Sequence, residues 1–542
     1  MIVSIFFASF QVAPHIYLHR WAKRACAQHL AFILVFLAAC SASAGPAYPL
    51  KLSPGQHYVV DQNNKPFLIQ GVSPWYLTEV LSPSDVNYYL SIRAAQGYNS
   101  VILDIAEEPT PDGISQTANF FGQVPFTGTT NGYTDLLTWN VNYFTNVDAV
   151  IREAGSYGMC VFAYPMYDDY AGAGWYQQMI GNSTNSLFLY GQFIGNRYKN
   201  FTNIVWIGAG DYNEPNAPTN CLWNWIAAGI QSTDTNHLIT AQPQRPTPAT
   251  YYPFVTLNCS YATTMSYEQS LANYQSTPVL ASFSREPYYE LTGGEYLLPA
   301  PWSHIVTENN SRNFAWWSVL YGDAGQFYGN AEEWQFTNDW QSTLVDEAAT
   351  SITNVAFLLD QYQWWRLVPD TNHMVITGGY GTYGTTNYVT DGATPDGDLA
   401  IAYLPLSSQV TANLARMSGP VRARWFDPTS GSLAIIPGSP FANKGSQTFT
   451  PPPTNSFGDQ DWVLVLDMNP LSANLLSAAT LGNGNLQLTV SGGPNQVYSV
   501  QFTTNSSSPW QTIGTGTTDI SGTFLLDVHT TSSAGFYRTT SE

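Results

Sequence analysis

The run Asn203-Ile204-Val205-Trp206-Ile207-Gly208-Ala209-Gly210-Asp211-Tyr212-Asn213-Glu214-Pro215 is an apolar, β-prone stretch that ends on an acid. Ile204 to Ile207 has the character of a strand buried on both faces. Gly208 and Gly210 let the backbone turn and let a ligand come close. Asp211 falls where a parallel strand opens into a pocket, and a carboxylate at the C-terminal end of a barrel strand reads as catalytic. A second acid, Glu286, has a similar setting in Pro278-Val279-Leu280-Ala281-Ser282-Phe283-Ser284-Arg285-Glu286-Pro287-Tyr288-Tyr289-Glu290. Two carboxylates on two strand ends are the minimum equipment for cleaving a glycosidic bond.

An acid/base must keep its proton near neutral pH, which burial or a neighbouring negative charge provides. Asp211, beside Tyr212 and apolar neighbours, fits that setting. Glu214 is the rival, because Asn213-Glu214-Pro215 has the form seen in other barrel glycosidases; the count from Trp206 favours Asp211. Glu286 must stay ionised to attack an anomeric carbon, and Arg285 beside it is a candidate partner. Glu290 is the alternative nucleophile, or a residue that binds a sugar hydroxyl. Trp75, Tyr164, Tyr267, Tyr288 and Trp334 follow or end candidate strands, so they are expected to line a sugar pocket together with Asn213 and Glu214. Asp168-Asp169 reads as a solvated turn, with sugar-hydroxyl or calcium binding as the alternative, and Asp323 as a turn residue.

These residues need a scaffold that brings strand ends together. From about 50 to 365, strand-like runs alternate with helical ones. Strands are expected at 66–73, 98–105, 159–166, 204–209, 238–241, 262–266, 279–282 and 325–328. A helix follows from Ser82, with Asp85 in its first turn, Arg93 near its end and Gly97 closing it. Another carries Tyr143, Val147, Val150, Ile151 and Ala154 at helical spacing. Repeated βα units of this number imply a TIM-type (β/α)8 barrel. A doubly wound sheet is the alternative, but no Gly-rich phosphate loop follows the first strand. From 366 to 468 short alternating strands imply a small β-sandwich. A second C-terminal β module fills 469–542. The chain therefore reads as multidomain, with an N-terminal segment at 1–44, the barrel at 45–365 and two accessory β domains.

Composition narrows the partners. Lys and Arg total 18 against 38 Asp and Glu, for a formal charge of −20. That argues against a nucleic-acid partner, which requires a basic face. His19, Arg20, Lys23 and Arg24 precede the apolar run Leu30 to Ala39, too short to span a bilayer and stay. Ala42-Ser43-Ala44 fits a cleavage site, whereas Leu37-Ala38-Ala39-Cys40 fits lipid attachment at Cys40. Both readings place the chain outside the cytoplasm: secreted, periplasmic or held on the cell surface. Cys160 reads as a buried thiol, and Cys221 and Cys259 as a pair that an oxidising compartment would allow to bond. No Cys/His cluster has metal-ligand spacing, so neither metal nor cofactor is expected. The chain is expected to act as a monomer on a polysaccharide or oligosaccharide.

The ordered set of motifs resembles the apiosidase-like (β/α)8 glycoside hydrolases (family 140 and relatives) over about residues 50 to 365. It rests on Pro66-Phe67 through Trp75, Arg93-Ala94-Ala95-Gln96-Gly97-Tyr98-Asn99, Gly195-Asn196-Arg197-Tyr198, Trp206 to Asp211, Glu286-Pro287-Tyr288-Tyr289-Glu290, and Gly322-Asp323-Ala324-Gly325-Gln326-Phe327-Tyr328-Gly329. Residues 366 to 468 resemble the collagen-binding-type domain often fused to that barrel, through Trp425-Phe426-Asp427-Pro428 and Asp461-Trp462-Val463-Leu464. The resemblance implies a retaining enzyme that cleaves polysaccharide side chains, with Asp211 as acid/base and Glu286 as nucleophile. The chain departs from the family where the first strand usually ends Gly-Asp-Thr and here reads Gly71-Val72-Ser73. The segment from Pro278 to Glu286 is also longer than usual. A carbohydrate-binding protein with a degenerate barrel and a matrix or collagen adhesin are the competing readings.

Overall fold

The computed structural model describes residues 45–106, 116–169, 172–215, 221–262, 265–291, 306–337 and 339–468. In the C-terminal module it describes 474–480, 485–491, 497–503, 510–519, 523–528 and 536–541. The export segment expected at 1–44, with Cys40, lies outside the described residues.

Eight parallel strands form the first sheet: β1 (Ile69–Val72), β2 (Ser100–Asp104), β3 (Cys160–Tyr164), β4 (Ile204–Ala209), β5 (Ile239–Gln242), β6 (Asn258–Ser260), β7 (Ser282–Ser284) and β8 (Gly325–Tyr328). Their spatial order is β5-β4-β3-β2-β1-β8-β7-β6. The backbone N–H groups of Thr256 and Leu257 donate to Ile239 O at 2.8 and 3.1 Å, which brings the two outermost strands together. The sheet is thus a near-closed TIM-type barrel. Every residue of β1 to β5 is buried, as expected for strands covered on both faces.

Helices α1 (Pro83–Ala95), α2 (Val141–Ser156), α3 (Thr184–Tyr198), α4 (Leu222–Thr233), α5 (Ser266–Tyr274) and α6 (Glu308–Leu320) alternate with the strands. Between β5 and β6 only a 3₁₀ turn, Ala249–Tyr251, replaces the helix. The Ser82 side chain caps α1 by accepting from Asp85 N. Inside the barrel, Phe162, Phe283 and Phe327 meet with ring centroids 5.0 to 5.7 Å apart.

The sixth strand lies before its expected place at 262–266. Asn258-Cys259-Ser260 carries no run of large apolar side chains, and its Ser260 hydroxyl is satisfied internally. Ser260 Oγ donates to Asp323 Oδ1 at 3.1 Å, and Asn273 Nδ2 donates to Ser260 Oγ at 2.9 Å. Asp323, directly after the turn at Tyr321-Gly322, is also a buried hub that accepts from Ser270 and Ser282. Cys160, Cys221 and Cys259 are buried free thiols, so no Cys221–Cys259 disulfide forms.

The second domain is an antiparallel sandwich. Its larger sheet is ordered Val368–Pro369, Thr390–Ala393, Leu399–Leu404, Trp462–Asp467, Arg422–Phe426, Leu433–Ile435. The smaller joins Ile376–Gly378, Val410–Asn413 and Ser446–Phe449. The two central strands alternate strictly between two cores. Leu399, Ile401, Tyr403, Val463 and Val465 belong to the barrel's core, and Ala400, Ala402, Leu404, Trp462, Leu464 and Leu466 to the sandwich's own. Arg312 of α6 adds a buried ionic tie. It bonds both carboxylate oxygens of Asp461 at 2.9 and 3.1 Å, and reaches Asp459 at 2.5 Å and Glu347 at 3.0 Å. Residues 44–471 form one compact unit.

The C-terminal module has two three-stranded antiparallel sheets around Leu488, Val490 and Val500. Among the described residues, no helix is long and apolar enough to cross a membrane.

Candidate active site

β4 leaves the barrel through a contorted turn. Ala209, Gly210 and Asp211 have φ of 61°, 141° and 56° in succession. A left-handed alanine is rare, and such backbone strain collects at functional sites. The Tyr167 ring lies against Gly210 where a Cβ would stand. The turn is pinned to β5, because Gly210 and Asp211 N–H both donate to Gln242 O, at 3.1 and 3.0 Å.

Burial pushes the Asp211 carboxyl up to about 6, and the charge of Glu286 adds to the rise. Arg245 and a hydrogen bond with Tyr261 pull against it. Asp211 is thereby matched to holding and releasing a proton near neutral pH. Glu286, half-buried just past β7, accepts a hydrogen bond from Gln242 Nε2 on its Oε2 at 2.6 Å. The two acids thus lie within each other's field at the C-terminal end of the barrel.

Aromatic side chains surround them. Trp75 packs against Tyr164 and Tyr167 with centroids 5.2 and 4.7 Å apart. Arg245, on the loop after β5, lies over Tyr261 and Tyr288 at 4.2 and 4.6 Å. Arg285 is fully buried beneath, 4.6 Å from the Trp75 ring centre, with Nε donating to Tyr164 Oη at 3.0 Å.

The remaining sequence candidates fall into two groups. Tyr288 and Trp334 are half-buried at the same end as the acids, Trp334 edge-on to Tyr76. Asn213 is spent on the Arg245 loop: it donates to Thr247 Oγ1 and accepts from Gln244 N, both at 3.0 Å. Trp75 and Tyr164 are buried behind the acids, and the Tyr164 hydroxyl is committed to Gln242.

Glu214, Glu290 and Tyr267 stand apart. The Glu214 carboxylate accepts from Leu222 N and Trp223 N at 2.7 and 3.0 Å, so it caps α4. Asp168, far from a solvated turn, is fully buried and accepts from Trp223 Nε1 at 2.9 Å; burial, then the Glu214 charge, raises its carboxyl. Glu290 is drawn to the outer side of the barrel wall. Phe327 points into the barrel and Tyr328, next along, points away from it, donating to Glu290 with its ring tilted against Tyr98 at 6.3 Å. Burial lifts Glu290 to about 8. Tyr267 lies at the junction with the sandwich, its hydroxyl donating to Thr385 O at 2.9 Å and its ring against Tyr383 and Tyr388.

Four residues of the site have no counterpart in the sequence reading: Gln242, Tyr167, Arg245 and Tyr261. Gln242 was legible as a polar residue ending the strand Ile239-Thr240-Ala241, directly before Pro243. Tyr261 follows β6 immediately and was hidden by the displaced strand. Among the described residues, no group of three or more His, Cys, Asp or Glu is arranged to hold a metal.

Residues 53–366 match the model of the apiosidase-like catalytic domain. Residues 368–467 match that of the "Putative collagen-binding domain of a collagenase". The fold is similar to a glycoside hydrolase family 5 protein from Bacteroides vulgatus ATCC 8482, at 22% identity and TM-score 0.67 over 77% of this chain and 93% of that one. A second solved structure, described as a glycoside hydrolase, has TM-score 0.66 at 21% identity, over 78% of this chain and 97% of its own. No curated protein matches the chain in sequence.

Proposed function

Because the chain belongs to the apiosidase-like family and its barrel has the glycoside hydrolase fold, we propose that it is a retaining glycosidase with Asp211 as acid/base and Glu286 as nucleophile. The observation that carries this reading is the Asp211 carboxyl lifted to about 6 by burial and by Glu286 beside it. A carboxyl lifted towards neutral pH beside a second carboxyl is the equipment of acid–base and nucleophilic work in one site.

In the first step a Glu286 carboxylate oxygen forms a bond to the anomeric carbon. The bond to the leaving oxygen breaks, and Asp211 delivers its proton to that oxygen. In the second step Asp211, now ionised, takes a proton from water as the water oxygen displaces Glu286. Two inversions leave the anomeric configuration unchanged. Tyr288, Trp334 and Arg245 border the sugar. The substrate is a side chain of a plant or microbial polysaccharide, met outside the cytoplasm after export through residues 1–44, with or without a lipid on Cys40.

A fluorinated aryl glycoside that stalls the second step tests the reading. The expected result is a mass increase of one glycosyl unit, mapped to the peptide holding Glu286. Mapping to another residue, or inverted product from a turned-over glycoside, overturns it.

A further inference from the structure

One residue touches both acids. The backbone carbonyl of Gln242 accepts from Gly210 N at 3.1 Å and from Asp211 N at 3.0 Å, while its side-chain Nε2 donates to Glu286 Oε2 at 2.6 Å. Gln242 is fully buried at the end of β5. We infer that Gln242 is a positioning residue that sets the spacing between Asp211 and Glu286 and leaves Glu286 Oε1 as the attacking oxygen. This rests on the roles proposed above for the two acids.

The orientation of the Gln242 amide is dictated from below. A guanidinium only donates hydrogen bonds. Arg285 Nε–H is aimed at Tyr164 Oη at 3.0 Å, so the Tyr164 hydroxyl hydrogen must be used elsewhere. It goes to Gln242 Oε1. With its oxygen so engaged, the amide can present only its NH₂ to Glu286. The chain Arg285, Tyr164, Gln242, Glu286 therefore donates in one direction throughout, and a flipped amide would set two acceptors face to face. Among the described residues, the Nη1 and Nη2 atoms of Arg285 have no hydrogen-bond partner, and its Nε bonds Tyr164. A separation held from both sides matters because a displacement of about 1 Å costs about 100-fold in rate.

Gln242→Glu keeps the shape and removes the donor whenever the introduced carboxyl is ionised. The assay uses the 2,4-dinitrophenyl glycoside, from a panel of pentosides and hexosides, that the wild-type chain turns over fastest. Gln242→Glu is expected to lower kcat about 100-fold at pH 7 with KM nearly unchanged. The deficit should shrink several-fold towards pH 5, as the introduced carboxyl regains a proton and donates again. A role in shape alone would give a deficit that does not depend on pH. Tyr164→Phe, which leaves the amide present but removes the hydroxyl that anchors its oxygen, is the second variant and should lower kcat at constant KM. A pH-independent deficit or near-wild-type turnover in Gln242→Glu overturns the inference. If that variant does not fold, wild-type kcat in Tyr164→Phe overturns it. Glu286→Ala separates the two levels. Azide that restores its turnover, giving a glycosyl azide of inverted configuration, upholds the nucleophile whatever Gln242 does. Failure of azide rescue removes the reading on which the inference rests.

Discussion

Asp211 owes its raised carboxyl to burial first and to the Glu286 charge second. Removing that charge with Glu286→Gln should therefore lower the Asp211 midpoint from about 6 while leaving it above an exposed aspartate, as read by carboxyl ¹³C titration. A midpoint that stays put would mean the two acids do not interact. The same lift sets the pH response. Asp211 donates only while protonated, so cleavage of natural glycosides should fall as pH rises past about 6. Aryl glycosides with acidic phenols depart unaided and should lack that alkaline decline. Asp211→Ala should spare only the first step with these activated substrates, read as kcat/KM, while the second step, left without its base, slows for all and is restored by azide. Glu214→Ala should instead cost roughly 1–3 kcal/mol of stability in denaturant melts, because two α4 N–H groups lose their acceptor. A leaving-group dependence appearing in Glu214→Ala alone would transfer the acid role to it. Nothing in the Asn213-Glu214-Pro215 string distinguishes a cap from a catalyst; the distinction is made by where α4 begins.

The elements of the site were unequally legible. β4 declares itself through Ile204 to Ile207 and the glycines after it, and Asp211 follows from that register. β6 lies ahead of its expected place and β7 starts three residues after its own, because Ser260 and Ser282 turn polar side chains inward to Asp323 rather than apolar ones. Alternation cannot reveal a strand whose buried face is hydrogen-bonded, and Tyr261 was lost with it. Contacts between elements were equally invisible: no spacing rule brings Gln242 to Glu286 or Arg245 to Tyr261. At the exit of β4, Gly210→Ala would drive a methyl group into Tyr167 at a φ of 141°. Such strain costs about 1–3 kcal/mol. The variant should melt earlier and lose turnover as Tyr167 moves. Retention of both would show that the turn yields freely.

Across the whole chain, the sequence divided barrel from sandwich where the structure gives them a common core. Strand alternation at 399–404 and 462–467 was readable, but not that the second face meets another domain. A chain ending at 366 would leave α6 with Trp316 uncovered, since that ring stacks on Tyr403 at 5.9 Å. It should be insoluble, whereas a chain of residues 45–471 should fold and keep its turnover. Arg312→Met strands the fully buried Asp461 without its cation, at a cost of about 3–5 kcal/mol. Calorimetry of residues 45–471 should show one transition that Arg312→Met shifts down as a whole; two separated transitions would mean the domains melt alone.

The common core also governs how such a chain can be rearranged during descent. Gene fusion trades domains readily when the joint is a linker between surfaces that are each already wet. Here the strand 399–404 reads alternately to two cores, so a crossover near residue 366 would join a barrel to a sheet whose odd-numbered side chains were selected against a different wall. Recombinants cut there inherit a mismatched interior. Barrel and sandwich must travel through a genome as one cassette, and a shuffled library should yield soluble progeny only from breakpoints outside 45–471.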